Sequence, residues 1–415
     1  MPNETAYINK GIKGINNVDK EINLPENYVT EAVNVDISNS GVVSNRDGYN
    51  KIYPGHNIHS LYKNYFVENT SLKYIDKNES VLTIHNSITP SKYLAWETVN
   101  NKELYSDGIY VYHTDGKPIG INTPGPIVLA ESVGTGLLSP GVYHVAICTI
   151  DSITKEQSGA SISSKIQVSN NNSILCTNFP IVDSSYEIAV FISNPNGEEL
   201  YLLDTVPYNT TQVEIKDIDN LSKPLNTQFL HRITGGHILR YFKGRLFVAK
   251  NNVLWYSEAM NYGLHKPSSN FIQFSTKITI VQPVNDGLYV VADKTYFLSG
   301  TSPAQFTKTE VSYINGIIGT GLSVRSTDFS ISPDQDAAYW YSDYGPVIGL
   351  SSGNIQLLTE NSFVPRKEQD KGTSMYKYSN GVKQLITAFS KKGDKSSFGT
   401  KERLSGIIIR NGVVI

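Results

Sequence analysis

Six carboxylates, Asp107, Asp115, Glu258, Asp286, Asp293 and Asp343, stand at the ends of apolar runs where they could face a common cleft. A facing pair of carboxylates is what glycoside hydrolysis needs, one as the acid and one as the base or nucleophile. Most of these six fall in two-residue turns such as Asp107-Gly108 and Asp115-Gly116. Asp caps its own backbone in such turns, so the turn role outweighs the catalytic one. The eight His show no HExxH or His-x-His spacing. The closest pair, His56 and His59, has no acidic or thiol ligand beside it. No serine reads as the nucleophile of a strand–turn–helix elbow. "GIIGTG" at Gly316 to Gly321 departs from the GxGxxG spacing and no helix follows it, so it reads as a flexible loop. Trp96, Trp255 and Trp340 could stack on sugars, but each lies inside an apolar run, where packing between sheets is the better reading. Cys148 and Cys176 are the only cysteines. Two cysteines exclude a disulfide-stapled fold, and buried free thiols in strands are favoured over a single bridge. No cofactor motif emerges.

The elements that would position these residues are strands. Strand-forming residues dominate, with 26 Tyr among 415 residues, and no amphipathic helix separates the apolar runs. From His56 the pattern is strand, turn, strand, with breaks at Glu68-Asn69, Lys77-Asn78, Asn100-Asn101, Asp107-Gly108 and Asp115-Gly116. "GRLFVAKNNVLWYSEAM" and "DGLYVVADKTYFLSG" are the same hairpin written twice. With Leu246, Leu288 and Ala338 as equivalent starts, the period is about 40 to 50 residues, the mark of a β-propeller. Small sheets that bury both faces against neighbours, in a closed ring, leave no apolar end exposed. The count is about six blades, two before residue 126 and four after residue 225. Between them, 126–225 carries longer alternating strands such as "SPGVYHVAICTID" and resembles a fibronectin type III or immunoglobulin-like β-sandwich. The expected organisation is an N-terminal arm at 1–55, first blades at 56–125, the inserted sandwich at 126–225, further blades at 226–390, and a C-terminal hairpin about Asn411-Gly412 at 391–415 that completes the ring. In the arm, Glu26 to Val35 reads as a short helical turn and Ser40-Gly41 as a hairpin turn. The Asp-turn with a fixed Ser and Trp that marks sialidase blades is absent.

Net charge is -2, from 36 basic and 38 acidic residues, and charged residues are 18 % of the chain. Only the short, Asp-interrupted "SKKGDK" concentrates Lys, which disfavours tight, salt-dependent DNA binding and leaves passive contact open. The start, "MPNETAYINKG", reads as carrying no secretory leader. No apolar run approaches the ~18 residues of a membrane helix.

Three stretches carry a resemblance. The arm reads "LPENYVTEAVNVDISNSGVVSNRDGY", with Leu24-Pro25, then Glu31-Ala32-Val33-Asn34-Val35-Asp36, Gly41, and Arg46-Asp47-Gly48-Tyr49. "KGRLFVAKNNVLWYSEAM" is followed by "PVNDGLYVVADKTYFLSG", and the chain ends in "SSFGTKERLSGIIIRNGVVI". Together they resemble the tail nozzle, or tail tubular, proteins of short-tailed bacteriophages, over the arm and the propeller. The resemblance implies a structural virion protein of the tail, assembled in the host cytoplasm and not an enzyme. Copies would form a hexameric ring below the portal and its adaptor, around a channel through which double-stranded DNA passes. It implies arm contacts with the adaptor or a neighbouring copy at Leu24, Pro25, Asn34, Asp36 and Arg46. Candidate channel or gate loops run from Asn315 to Gly321 and from Glu360 to Gly372, with Asn315, Gly316, Gly319, Gly321, Glu360 and Arg366 as the residues to watch. A near-neutral lumen would let DNA slide, where Lys/Arg walls would hold phosphates. Tyr richness and the insert keep a host-receptor, carbohydrate-binding tail protein as the alternative, and a propeller glycosidase as the second.

Overall fold

The computed structural model describes residues 11–33, 35–37, 41–45, 53–90, 92–365, 369–379, 382–391, 406–410 and 413–414. The chain is all-β. Its only helical elements among the described residues are three 3-10 turns, at Glu21–Asn23, Pro303–Gln305 and Ser326–Phe329. No helix of the described residues is long and apolar enough to cross a membrane.

Outside the middle block and the arm, the larger sheets are antiparallel meanders, the third of them passing over Leu264–His265, which pairs with His231–Arg232. The first holds Ile58–Tyr62, Tyr65–Glu68, Ser71–Ile75 and Val81–His85; the second holds Ala95–Val99, Lys102–Ser106 and Val111–His113. After the block come a third (Ile238–Phe242, Arg245–Lys250, Val253–Tyr256, Phe271–Gln273) and a fourth (Ile280–Val284, Gly287–Val291, Thr295–Ser299, Thr307–Ser312). A fifth (Leu322–Arg325, Asp336–Ser342, Gly345–Leu350, Ile355–Leu357) and a sixth (Gln369–Ser379, Val382–Lys391, Gly406–Arg410, Val413–Val414) follow. Asn100-Asn101 closes its hairpin as the sequence marks, but Asp107-Gly108 opens a longer connection between Lys102–Ser106 and Val111–His113, and Lys77-Asn78 lies in a longer one between Ser71–Ile75 and Val81–His85, so neither is a two-residue turn. Asn100 and Asn101 both take positive φ, 50° and 60°, and Lys243-Gly244 takes 43° and 78°. These are the angles of the tight two-residue turn that suits the strand twist. The break expected at Glu68-Asn69 falls one residue later, with Glu68 still in its strand.

Why the apolar runs are continuous rather than alternating is visible in the third sheet. In a strand, successive side chains point to opposite faces. Leu246 and Val248 point to the second sheet, against Leu104 and Val111, while Phe247 and Ala249 point to the fourth, against Leu288 and Val290. All four third-sheet residues are essentially inaccessible to water. The pattern repeats onward. Tyr289 and Val291 of the fourth sheet meet Ala338 and Trp340 of the fifth, and Tyr339 and Tyr341 of the fifth meet Leu385 and Phe389 of the sixth. Leu246, Leu288 and Ala338 each occupy the second strand of their sheets, so the repeat read from the sequence is a structural equivalence. Between the first two sheets, Val67 and Leu72 pack on Trp96 and Tyr105. Back across the assembly, the Lys371 ammonium of the sixth sheet lies 5.8 Å from the ring of Tyr93, just ahead of the second.

The middle block is two facing sheets. Val128–Ser132, Ser173–Thr177 and Gln212–Ile215 form one; Ser164–Val168, Gly141–Asp151, Tyr186–Ser193 and Leu200–Pro207 form the other. Tyr143, Val145 and Ile147 meet Ile174, Cys176 and Ile215 between them. Cys148 points the other way, toward Ala160 and Phe191. Both thiols are free and buried, in different sheets and different core clusters.

The arm departs from one expectation. Glu26 to Val35 holds no helical turn; the short helix is earlier, at Glu21–Asn23. Tyr28–Val29 instead pairs in parallel with Gly14–Ile15, which claims the backbone groups that a helix would need. Val35–Ile37 and Val43–Asn45 form the expected hairpin, with Gly41 at φ +81°. Ile12 and Ile37 then pack on Ile386 of the sixth sheet, so the arm rests on its own chain.

Candidate functional site

The first strands of successive sheets lie side by side, and their central residues are polar. Glu97 is the middle of Ala95–Val99, Arg240 of Ile238–Phe242 and Gln282 of Ile280–Val284, and Ser323 lies in Leu322–Arg325. They connect in a row. An Arg240 Nη1 is 3.7 Å from Glu97 Oε2, Arg240 Nε donates to Gln282 Oε1 at 3.2 Å, and Gln282 Nε2 donates to Ser323 Oγ at 2.6 Å. One polar row thus crosses four sheets whose other core layers are apolar. At its first end, the Lys63 ammonium donates to Thr98 Oγ1 and Glu103 Oε1, both at 2.9 Å, and Tyr62 Oη meets Thr98 Oγ1 at 2.9 Å.

Electrostatics in the row are unusual at one residue. The Glu97 side chain is 20 % exposed. Burial pushes its carboxyl up from 4.5 to about 7, against the pull of the Arg240 guanidinium, backbone N–H donors and the Lys63 charge. The 3.7 Å gap explains why the guanidinium does not win, since Arg240 spends Nη1 on Leu239 O at 2.7 Å and Nε on Gln282. Sequence reading missed this row. A charged or amide residue in the middle of each first strand was the available signal, in "AWETV", "ILRYF" and "IVQPV".

The carboxylates singled out in the sequence do not converge. Asp107 accepts from Ile109 N–H at 2.8 Å and Tyr110 N–H at 3.0 Å, and Asp115 accepts from Lys117 N–H at 2.9 Å. Glu258 accepts from Asn270 Nδ2 at 2.6 Å, Asp293 from Tyr296 Oη at 3.2 Å, and Asp343 from Asn315 Nδ2 at 2.9 Å. Asp286 occupies the turn between Ile280–Val284 and Gly287–Val291. His56 is exposed and uses its backbone N–H on Glu68. His59 shares a 2.8 Å hydrogen bond with Ser60, and burial lowers its pKa, so the ring is neutral at pH 7. Among the described residues no group of three His, Cys, Asp or Glu is placed to hold a metal ion. A G-x-S-x-G string, Gly349 to Gly353, does occur in the sequence. It runs from the end of Gly345–Leu350 into the turn before Ile355–Leu357 rather than before a helix, and Ser351 Oγ donates to Asp336 O at 2.8 Å. Trp340 is fully buried beside Tyr289, and Trp96 stacks on Tyr62 and Tyr65. Both are packing residues.

The glycine-rich segment from Asn315 to Gly321 is a brace, not the flexible loop expected. Asn315 holds the Asp343 turn from both ends: its Nδ2 donates to the carboxylate, and its Oδ1 accepts from Asp343 N–H at 3.0 Å. Thr320 Oγ1 donates to Ile317 O at 2.7 Å and accepts from Tyr341 N–H at 3.0 Å. Gly372 N–H donates to Ile318 O at 2.9 Å, which ties the segment to the sixth sheet. The glycines are required by proximity. A Cβ on Gly316 would stand 2.6 Å from Ile280, and one on Gly319, at φ +88°, 2.1 Å from Gly372 O. Gly321 lies against Gln282 of the polar row. Glu360 is exposed; Arg366, Asn34 and Arg46 lie outside the described residues. Leu24 follows the Glu21–Asn23 turn, its N–H on Glu21 O, with Pro25 next, and Asp36 sits in the arm hairpin. Asn17 of the arm grips the second candidate loop: its N–H donates to Ser362 O at 3.1 Å, its Nδ2 to Val364 O at 3.0 Å, and its Oδ1 accepts from Val364 N–H at 2.7 Å.

No family model matches the chain. No curated protein matches it. Among solved structures it is similar to the BBS1N protein crystallised in complex with ARL6DN, at 11 % identity over 85 % of this chain and 98 % of that one, with a TM-score of 0.30. Sqt1 of Saccharomyces cerevisiae is similar at 7 % identity over 69 % of this chain and 89 % of that one, with a TM-score of 0.21. At such scores the likeness adds nothing to what the strands themselves establish, an all-β chain.

Proposed function

We propose that the chain is a structural subunit of a phage tail, of the nozzle type, in which the meander sheets close into a six-bladed propeller and the two-sheet block is an insertion between the second and third blades. Copies assemble as a ring below an adaptor, and double-stranded DNA passes through the ring without being held. The observation that carries this reading is where the resembling stretches lie. The arm and the chain's end, separated by the whole sequence, come together: Gly14–Ile15 lies against Val413–Val414, and Ile12 and Ile37 pack on Ile386. A shared element built from both ends is under joint constraint, which is what a family signature at both ends requires. The near-balance of 36 basic and 38 acidic residues suits a passage that must not retain phosphates.

Within this reading the Asn315 to Gly321 segment is a fixed strut, and any gating falls to the segment after Glu360 that Asn17 grips. Catalysis is not favoured, because the sequence-marked carboxylates are committed to turns and to neighbouring donors. The test is immunogold labelling of short-tailed particles with antibody raised against the purified chain. Label at the tail, beneath the portal vertex, is expected. Label confined to fibres, or none on intact tails and on tails stripped of their fibres, would overturn the reading.

A further inference from the structure

A cleft of about 530 Å³ opens between the last strand of the fourth sheet and the edge of the fifth. This volume falls within the range of small-ligand sites. Two aromatic rings flank it: Tyr313 is 80 % exposed and Tyr344 56 %. Val311, Ile314 and Leu357 make an apolar floor that continues into the core between the two sheets. The backbone on both sides is fixed. Thr295 Oγ1 donates to Ile314 O at 2.6 Å, Ile314 N–H donates to Ser312 Oγ at 3.0 Å, and Tyr344 N–H donates to Ser342 Oγ at 3.1 Å. At the rim the Lys294 ammonium pairs with Glu310 at 2.6 Å and lies 5.0 Å from the Tyr313 ring centroid.

We propose that this cleft binds a short neutral saccharide, with hexopyranose rings laid against Tyr313 and Tyr344 and their hydroxyls read by Lys294, Glu310 and Ser312. Three features select that class. Pyranose rings carry an apolar C–H face, which suits an aromatic wall, and a hydroxylated edge, which needs donors and acceptors together. The Lys294–Glu310 pair supplies both. Its charges cancel, so an ionised sugar gains no net attraction there, while a neutral one uses both donor and acceptor. The rings stand on a rigid backbone, so little ordering is left to oppose binding. Nothing in this depends on the tail reading, and the two stand or fall separately.

Saturation-transfer NMR on the full chain tests it, with the methyl glycosides of glucose, galactose, mannose and N-acetylglucosamine, then maltose and lactose, at millimolar concentration, and glucuronic acid as the anionic control. Transfer to at least one neutral sugar is expected. Tyr313→Ala and Tyr344→Ala should each weaken it about tenfold or more, while Tyr313→Phe keeps it and circular dichroism stays unchanged in all three. No transfer to any neutral sugar, equal transfer in the Tyr313→Ala/Tyr344→Ala double variant, or binding of glucuronic acid alone would overturn the proposal.

Discussion

Replacing Glu97 by Gln should stabilise the meander sheets, and by an amount that depends on pH. The carboxyl is raised from 4.5 to about 7 by burial. A group whose folded pKa exceeds its unfolded one holds more protons in the folded state between the two values. Stability therefore falls as pH rises through that window, and the full loss is present above about pH 7. A shift of this size corresponds to about 3 kcal/mol, an upper bound because the side chain retains 20 % exposure to screening water. Gln is nearly isosteric, cannot ionise, and can still accept from Arg240, so it removes the charge with little change in packing. The gain of Glu97→Gln over the parent should be near zero or negative below about pH 4.5 and reach roughly 2–3 kcal/mol by about pH 8. Urea unfolding followed by tryptophan fluorescence is the assay. All three Trp, 96, 255 and 340, lie in the meander sheets and none in the middle block, so the signal reads the part of the chain that holds the row. A difference between the two proteins that does not change with pH would mean that the carboxylate is hydrated, and that the polar row is not a desolvated element.

Burial pushes the Cys148 thiol up to about 11 and the Cys176 thiol up to about 12; neither should react with an aromatic disulfide reagent at about pH 8 until the chain is denatured, and fast labelling of the folded protein would contradict their placement. Gly319→Ala adds a Cβ at φ +88°, 2.1 Å from Gly372 O. It should cost ~1–3 kcal/mol or more, read as a lower urea midpoint of tryptophan fluorescence, and an unchanged midpoint would mean that the segment is as loose as its composition suggests. Asn17→Ala removes two side-chain hydrogen bonds to Val364; at ~0.5–1.5 kcal/mol each, amide exchange should quicken in 11–33 and around Val364 together. Faster exchange in only one of the two would show that they are not coupled.

Much of this architecture is legible in the sequence because turn chemistry and strand periodicity are local. Asn100-Asn101 announces its hairpin through the positive φ that few other residues tolerate. The run of apolar residues from Leu246 to Ala249 announces burial on both faces. Side-chain partners across sheets are another matter. Glu97, Arg240, Gln282 and Ser323 meet only because four separate hairpin units align their first strands, and a gap of more than a hundred residues separates Glu97 from Arg240. The same holds for Tyr313 and Tyr344, which sit on different sheets and share a cleft only after those sheets have docked.

The glycine-rich segment shows why composition misleads on motion. Gly is permissive in an unfolded chain, and a run such as Gly316 to Gly321 reads as slack. In the folded chain two of the glycines are there because something occupies the place of a side chain, Ile280 at Gly316 and the Gly372 carbonyl at Gly319. Absence of a Cβ lets the segment approach three sheets at once, and the hydrogen bonds of Asn315 and Thr320 then fix it there. To move, it would have to break the contact between the fifth and sixth sheets. The segment after Glu360 is held differently. Its grip by Asn17 consists of a few exposed hydrogen bonds to Ser362 and Val364, each worth little against water, while Phe363 between them packs on the core of the fifth and sixth sheets and Pro365 is buried. Of the two loops that composition nominates equally, the glycine-rich one is thus held by backbone and side-chain bonds to the fifth and sixth sheets, and the one bound to the arm by a single packed ring and a few exposed hydrogen bonds.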